Sequence, residues 1–177
     1  MFNAARELGA LPISMTRANI VLILKPDKDP LDPGSYRPIS LLQNDVKILA
    51  QVLAVRLNGA ISTIIHSDQS GFMPQKSTAI NLRRLFLNMQ SQADNMGDRA
   101  LLSLDAHKAF DSVEWKYLWA VMRKFGFGEG FISWVQLLYS SPVAAIREGG
   151  RVSRTFNLHR GTRQGCPLSP PPLCPGH

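Results

Sequence analysis

The sequence predicts an α+β fold, with helices packed against a mainly antiparallel sheet. Three observations carry that expectation. "ANIVLIL", Ala18 to Leu24, is a short, β-branched apolar run bounded by Arg17 and by Lys25-Pro26, which is the pattern of a buried strand. From Val46 onward, apolar residues return at three- and four-residue steps in separate stretches, as amphipathic helices require. Late in the chain, "PVAAIREGGRVSRTFNLH" reads as a β-hairpin around Gly149-Gly150. With 177 residues, 45% hydrophobic and 19% charged, the chain can bury a core and is not of disordered composition.

In order, "KPDKDPLDPGSYRP" follows the first strand, and its four prolines and one glycine make it a loop with turns. "ISLL" reads as a second short strand returning antiparallel to the first. Val46 to Ile65 reads as a helix with Val46, Leu49, Leu53, Leu57, Ala60 and Ile64 on one stripe, capped by Asn44 or Asp45. A second helix is expected from Thr78 to Ala93, with Ser77 as N-cap and Leu82, Leu85, Phe86 and Met89 on one face. "DNMGD" ends it in a turn. "RALLSLDA" then reads as a strand. Trp115, Leu118, Trp119 and Met122 form the next helical face, with Asp111-x-x-Glu114 as a capping-box variant at its start. Phe131, Trp134, Val135 and Leu138 repeat the spacing after "GFGEG". The last eight residues, "PPPLCPGH", cannot continue as helix or strand.

The net charge of +7 and pI of about 9.9 favour polyanion partners, nucleic acid first. Cys166 and Cys174 make neither a disulfide framework nor a CxxC zinc pair, so reduced, intracellular thiols are the plain reading, nuclear or cytoplasmic. Met1 to Ala10 carries Arg6 and Glu7 in place of the apolar stretch of a secretory leader. No apolar run approaches the ~20 residues that span a membrane, so no membrane partner is expected.

The chemistry centres on "LLSLDAHKAFDSVEW". Asp105 closes an apolar run, and a carboxylate at a strand end suits Mg²⁺, which prefers hard oxygen ligands. By spacing alone a strand-terminating turn or a helix cap is the better reading. Asp111 sits at an expected helix start and reads as a cap. Lys25 and Arg37, taken alone, read as solvated loop charges. Arg147, Arg151, Arg154, Arg160 and Arg163 form a basic segment with Glu148 as its one acid, suited either to a nucleic-acid backbone or to a solvated hairpin face.

"DAHKAFD" preceded by "LLSL" resembles the first catalytic motif of reverse transcriptases from non-LTR (LINE-type) retrotransposons. "ANIVLILKPDKD", "SYRPISLLQNDVKILAQVLAVRL" and "SDQSGFMPQKST" resemble the family's finger segments in order, and "RGTRQGCPLSP" resembles its Gln-Gly motif. The resemblance runs from about Ala18 to Pro170. It implies the fingers and partial palm of a right-hand polymerase, incomplete at the C-terminus. Residues 1–17 would be a lead-in helix or linker, 18–98 fingers-like, 99–170 partial palm and 171–177 an irregular tail.

The resemblance also implies roles. Asp105 would be the catalytic, metal-binding Asp, with the Ala106 carbonyl as a further ligand. The backbone around Lys108 and Ala109 would meet the nucleotide phosphates, and Phe110 would lie under the sugar. Lys25 and Arg37 would grip the triphosphate, and Gln164 and Gly165 would sit beside the nucleotide and template base. Arg151, Arg154, Arg160 and Arg163 would contact nucleic acid. The implied partners are an RNA template, a DNA primer and a dNTP, with Mg²⁺ as cofactor. In the family an adjacent Asp pair downstream completes the metal site, and this sequence contains none. The expectation is therefore an RNA-directed DNA polymerase fragment, truncated after the Gln-Gly motif and inactive by itself. The alternatives are a nucleic-acid-binding remnant without catalysis or a non-functional pseudogene product.

Overall fold

The structure is a computed structural model that describes residues 1–71, 73, 76–90, 100–106 and 108–168. Two short helices, α1 (Phe2–Leu8) and α2 (Ile13–Thr16), lead into β1 (Arg17–Leu24). A 3₁₀ turn at Pro33–Ser35 precedes β2 (Tyr36–Leu41), and α3 (Asn44–Ile64) and α4 (Thr78–Gln90) follow. Then come α5 (Ala109–Ser112), α6 (Trp115–Lys124), α7 (Glu129–Leu138), β3 (Val143–Glu148), β4 (Arg151–Val152) and β5 (Phe156–Asn157).

The strands form one sheet in the order β2-β1-β3-β4, with β5 also on β3. β1 pairs antiparallel with β2, placing Val21 opposite Ile39, and parallel with β3, placing Arg17 opposite Val143. The expected mainly antiparallel sheet is thus present, with one parallel seam at its centre. Two strands come from residues 18–98 and three from 99–170, so both segments build it. The hairpin turns at Gly149 (φ 53°) and Gly150 (φ 77°), the consecutive positive angles of a type I′ turn. The return strand is split: the Ile146 amide donates to the Ser153 hydroxyl at 2.9 Å, and pairing resumes at Phe156.

The core lies between α3, α6 and α7. Leu53, Leu57 and Ile61 of α3 pack with Leu118 and Met122 of α6 and with Ile132 and Val135 of α7, all essentially buried. The expected α3 stripe holds through Leu57, then shifts by a residue. Ile61 is buried while Ala60 is exposed, because a 3.6-residue period drifts across 21 residues. α1 rests on α7, with Arg6 lying 5.1 Å over the Trp134 ring.

Several local expectations are corrected. α3 is preceded by Gln43 as N-cap with no side-chain cap bond, so neither Asn44 nor Asp45 caps it. α6 begins after Glu114, also without a side-chain cap bond, and Asp111 belongs to α5 instead. Ser77 does cap α4, its hydroxyl accepting the Ala79 amide at 3.2 Å. The strand expected at "RALLSLDA" does not form over 100–106, where Leu101, Leu102 and Leu104 are 70–83% exposed. The segment pairs with no strand of the sheet, in which β1 has β2 on one edge and β3 on the other. The tail "PPPLCPGH", the "DNMGD" turn and the expected end of α4 at Ala93 lie outside the described residues.

Candidate functional site

A cleft of about 660 Å³ opens between the β1–β2 hairpin and the segment that carries Asp105. From the hairpin side it is lined by Leu22, Lys25, Tyr36, Arg37 and Pro38, and from the other by Asp105, Ala106, Lys108, Asp111 and Gln164. Seven residues singled out in the sequence therefore share one wall space, although 139 positions separate Lys25 from Gln164 in number. Three cations face two carboxylates, a balance that suits an anion bearing a divalent cation.

The hairpin loop is braced by its own polar groups. The Lys25 amide donates to the Ser35 carbonyl at 2.9 Å, and the Lys25 ammonium donates to the Gly34 carbonyl at 2.9 Å. Asp32 accepts the Gly34 amide at 2.9 Å, and the Tyr36 hydroxyl donates to the Pro30 carbonyl at 2.9 Å. The Asp32 bond is the asx type that a Pro- and Asp-rich loop provides, and the other three brace the same loop. They hold Lys25 at the cleft edge. Arg37 is exposed and makes no side-chain hydrogen bond among the described residues, so its planar fork is open to a ligand.

Lys108 is held at φ 48°, ψ 43°, in the left-handed region that a non-glycine residue rarely adopts. It is the N-cap of α5, and the Asp111 amide donates to its carbonyl at 2.9 Å. Strained backbone of this kind collects at ligand sites. The turn also aims Asp111 at the cleft. Asp111 makes no cap bond, so the capping role read from the sequence is replaced by a place in the cleft wall. The available signal was that Asp105 and Asp111 bracket a single turn.

The segment 160–165 ties the two sides together. The Thr162 amide donates to the Phe110 carbonyl at 2.7 Å, the Gly161 amide to the Val113 carbonyl at 2.8 Å, and the Trp115 indole to the Gly161 carbonyl at 2.9 Å. On the other side the Ser40 amide donates to the Gln164 carbonyl at 2.7 Å. Gly165 stands at φ 107°, and a Cβ there would lie 2.7 Å from the Ser40 carbonyl oxygen. Only glycine tolerates both. Ala109, Phe110 and Gly165 do not line the cleft themselves. They form the backbone frame behind it.

The basic segment divides. Arg151, Arg154 and Arg160 are exposed, but Arg163 is 7% exposed and points inward. Its expected contact with nucleic acid is corrected, because a buried guanidinium cannot reach a phosphate backbone. Burial pushes its pKa down, and neighbouring Cys166 and Tyr139 act in the opposite direction.

The donors in the cleft wall, two carboxylates and backbone carbonyls, are of the hard-oxygen kind that Mg²⁺ takes. Such ions are commonly held by one or two carboxylates plus substrate phosphates and waters. Asp105 and the Ala106 carbonyl would supply the protein's share, with Asp111 in the same wall. Among the described residues no three acids, histidines or cysteines converge as a cage made by protein alone.

A mixed helix-and-sheet fold with a basic cleft under its β-hairpin is consistent with part of a reverse transcriptase fold. Residues 23–171 match the reverse transcriptase (RNA-dependent DNA polymerase) family, and the chain belongs to it. It is 36% identical over 167 residues to the transposon TX1 uncharacterized 149 kDa protein of Xenopus laevis, covering 93% of this chain and 12% of that protein. It is 34% identical over 162 residues to the retrovirus-related Pol polyprotein from type-2 retrotransposable element R2DM of Drosophila melanogaster, covering 92% and 15%. Against the corresponding type-1 R2 polyprotein of Popillia japonica it is 31% identical over 163 residues, covering 92% and 22%. The family and the retrotransposon type read from the motifs are borne out. The chain spans between 12% and 22% of the length of these relatives. Among the described residues no helix is long and apolar enough to cross a membrane.

Proposed function

We propose that the chain is the nucleotide-gripping part of an RNA-directed DNA polymerase of a non-LTR retrotransposon. One observation carries this reading: Lys25, Arg37, Asp105, Lys108 and Gln164, from distant parts of the sequence, line a single cleft. The reaction is attack of a primer 3′-hydroxyl on the α-phosphate of a dNTP. Mg²⁺, when bound, supplies charge neutralisation on the phosphates.

The chain's own residues bind and orient. Arg37 holds triphosphate oxygens through its fork, and Lys25 and Lys108 add point charges at the same edge. Asp105 and the Ala106 carbonyl offer the cation its oxygens. Phe110 contributes from the frame behind the cleft, its carbonyl accepting the Thr162 amide. Gln164 presents its side chain to the cleft while its carbonyl is held by Ser40. The RNA template and DNA primer are the partners, and the exposed arginines of the β3–β4 hairpin track their backbone.

Two-metal nucleotidyl transfer needs carboxylates around ions about 3.5–4 Å apart, and the family's adjacent Asp pair is not in this sequence. Binding without extension is therefore the expected activity of the chain alone. The test is titration of a fluorescent dNTP with and without Mg²⁺. Wild type binds in a Mg²⁺-dependent manner, Arg37→Ala weakens dNTP binding more than RNA binding, and Asp105→Asn removes the Mg²⁺ dependence. Primer extension on poly(rA)/oligo(dT) above an Asp105→Ala control would overturn the assignment of inactivity. Equal dNTP affinity in wild type and Arg37→Ala would overturn the nucleotide site.

A further inference from the structure

We propose that Arg163 is the positioning residue that sets the width of the cleft, a role that rests on the nucleotide-binding reading above. Its Nη2 donates to the carbonyl of Leu138, the last residue of α7. Helix-end carbonyls there lack intrahelical partners, and the negative end of the helix dipole favours a cation. The guanidinium carbon lies 5.9 Å from the centroid of the Tyr139 ring. Nη1 is buried and meets no acceptor among the described residues. A buried cation with an unmet donor is poorly explained as a stability device, because apolar residues of similar volume usually serve a core as well or better.

Its neighbours supply the explanation. Thr162 is bonded to Phe110, on the turn that carries Lys108 and Asp111. Gln164 is bonded to Ser40, on the strand that carries Arg37. Adjacent Cα atoms are about 3.8 Å apart, so three consecutive residues form a strut of fixed span between the two cleft walls. Arg163 is the middle residue of that strut, and it alone of the three reaches inward to the α7 end. Pinned there, the strut holds both walls at one separation relative to the core. Unpinned, it can slide, and Arg37 and Asp105 lose their common register.

The test compares full-length Arg163→Met and Arg163→Lys with wild type by thermal unfolding, amide hydrogen exchange, and binding of a fluorescent dNTP with Mg²⁺. Arg163→Met should keep its Tm within about 4 °C, since no paired carboxylate is stranded. Exchange at the Ser40 and Thr162 amides should rise about ten-fold while Val135 in α7 is unchanged, and dNTP affinity should fall about ten-fold. Arg163→Lys, which can still reach the Leu138 carbonyl, should recover part of both losses. Unchanged exchange at Ser40 and Thr162 would overturn the proposal. So would a collapse of Tm in both variants, because Arg163 would then be a stability determinant. Failure of the wild-type chain to bind dNTP would break the nucleotide reading by itself, and the exchange comparison would still decide the strut.

Discussion

In α3, Val46, Leu49, Leu53 and Leu57 each keep 7% or less of their surface exposed, whereas in α4 Leu82, Phe86 and Met89 keep 54–61%. Both helices carry apolar residues at helical spacing, and both are where the sequence places them. The difference lies in what meets them. α3 is flanked by α6 and α7 within the core cluster. α4 is held to the 66–70 loop by polar contacts: the Asn81 amide reaches the Asp68 carbonyl at 2.7 Å and the Ser70 hydroxyl at 3.1 Å, and Arg84 pairs with the Asp68 carboxylate. Periodicity sets which side chains share a face. It does not supply the second surface that makes burial possible.

The largest effect that would break this comparison is on stability. Leu53→Ala should cost about 2–5 kcal/mol, as a fully buried leucine does. Phe86→Ala should change stability by no more than about 0.5 kcal/mol. Urea unfolding measures both, and equal costs would mean that α4 is as buried as α3. A second effect sharpens the comparison at the joint between the two sides of the cleft. Gly165→Ala should lose roughly 1–3 kcal/mol, because its positive φ and the nearby Ser40 carbonyl leave no room for a Cβ. A gain in Tm would refute the close approach of the Gln-Gly turn to β2.

The same contrast can be posed for charge. Replacing exposed Arg151 and Arg154 together should lower the salt slope of RNA binding by roughly 1–2 units, while replacing buried Arg163 should leave the slope as it is. An unchanged slope in the double variant would make the hairpin a solvated face. The smallest effect concerns a surface pair. Arg123 donates to Glu129 through Nε at 2.6 Å and Nη2 at 3.2 Å, and this hydrogen bonding holds the Glu129 carboxyl below its usual pKa. A carboxyl depressed in the folded state contributes stability above its unfolded pKa. That contribution fades as pH falls through the folded value. Arg123→Ala should return the Glu129 titration, followed by NMR, toward the ordinary glutamate range. Titration unmoved by the substitution would show the pair to be open in solution.

Much of the architecture was legible because strands and helices announce themselves locally. "ANIVLIL", the Gly149-Gly150 turn and the stripes of α3, α6 and α7 all depend on neighbours within a few residues. The segment around Leu102 was misread as a strand for the complementary reason: apolar residues describe a strand's chemistry, but its existence requires a partner that pairs with it. The parallel seam between β1 and β3 was invisible, since nothing near Ala18 specifies Ala144. At the site, Lys25, Arg37, Asp105 and Gln164 were found through motif resemblance and converge on one cleft. Asp111 was set aside because a cap and a cleft carboxylate look alike in sequence. Arg163 was read as a surface charge because burial of an arginine is decided by distant groups, here Leu138 and Tyr139.

The seam between Arg17 and Val143 also has a kinetic side. β1 can pair with β2 as soon as the hairpin has left the ribosome, but its other edge waits for residues near the far end of the described chain. At synthesis rates of about 5–20 residues per second, that edge stays open for roughly ten seconds. Closing so long a loop adds little free energy per extra residue, yet it slows the search for the right partner. During that interval the nascent chain offers a bare, apolar, β-branched strand edge to whatever is nearby. The same register that closes the finished sheet therefore leaves β1 half-paired until β3 arrives.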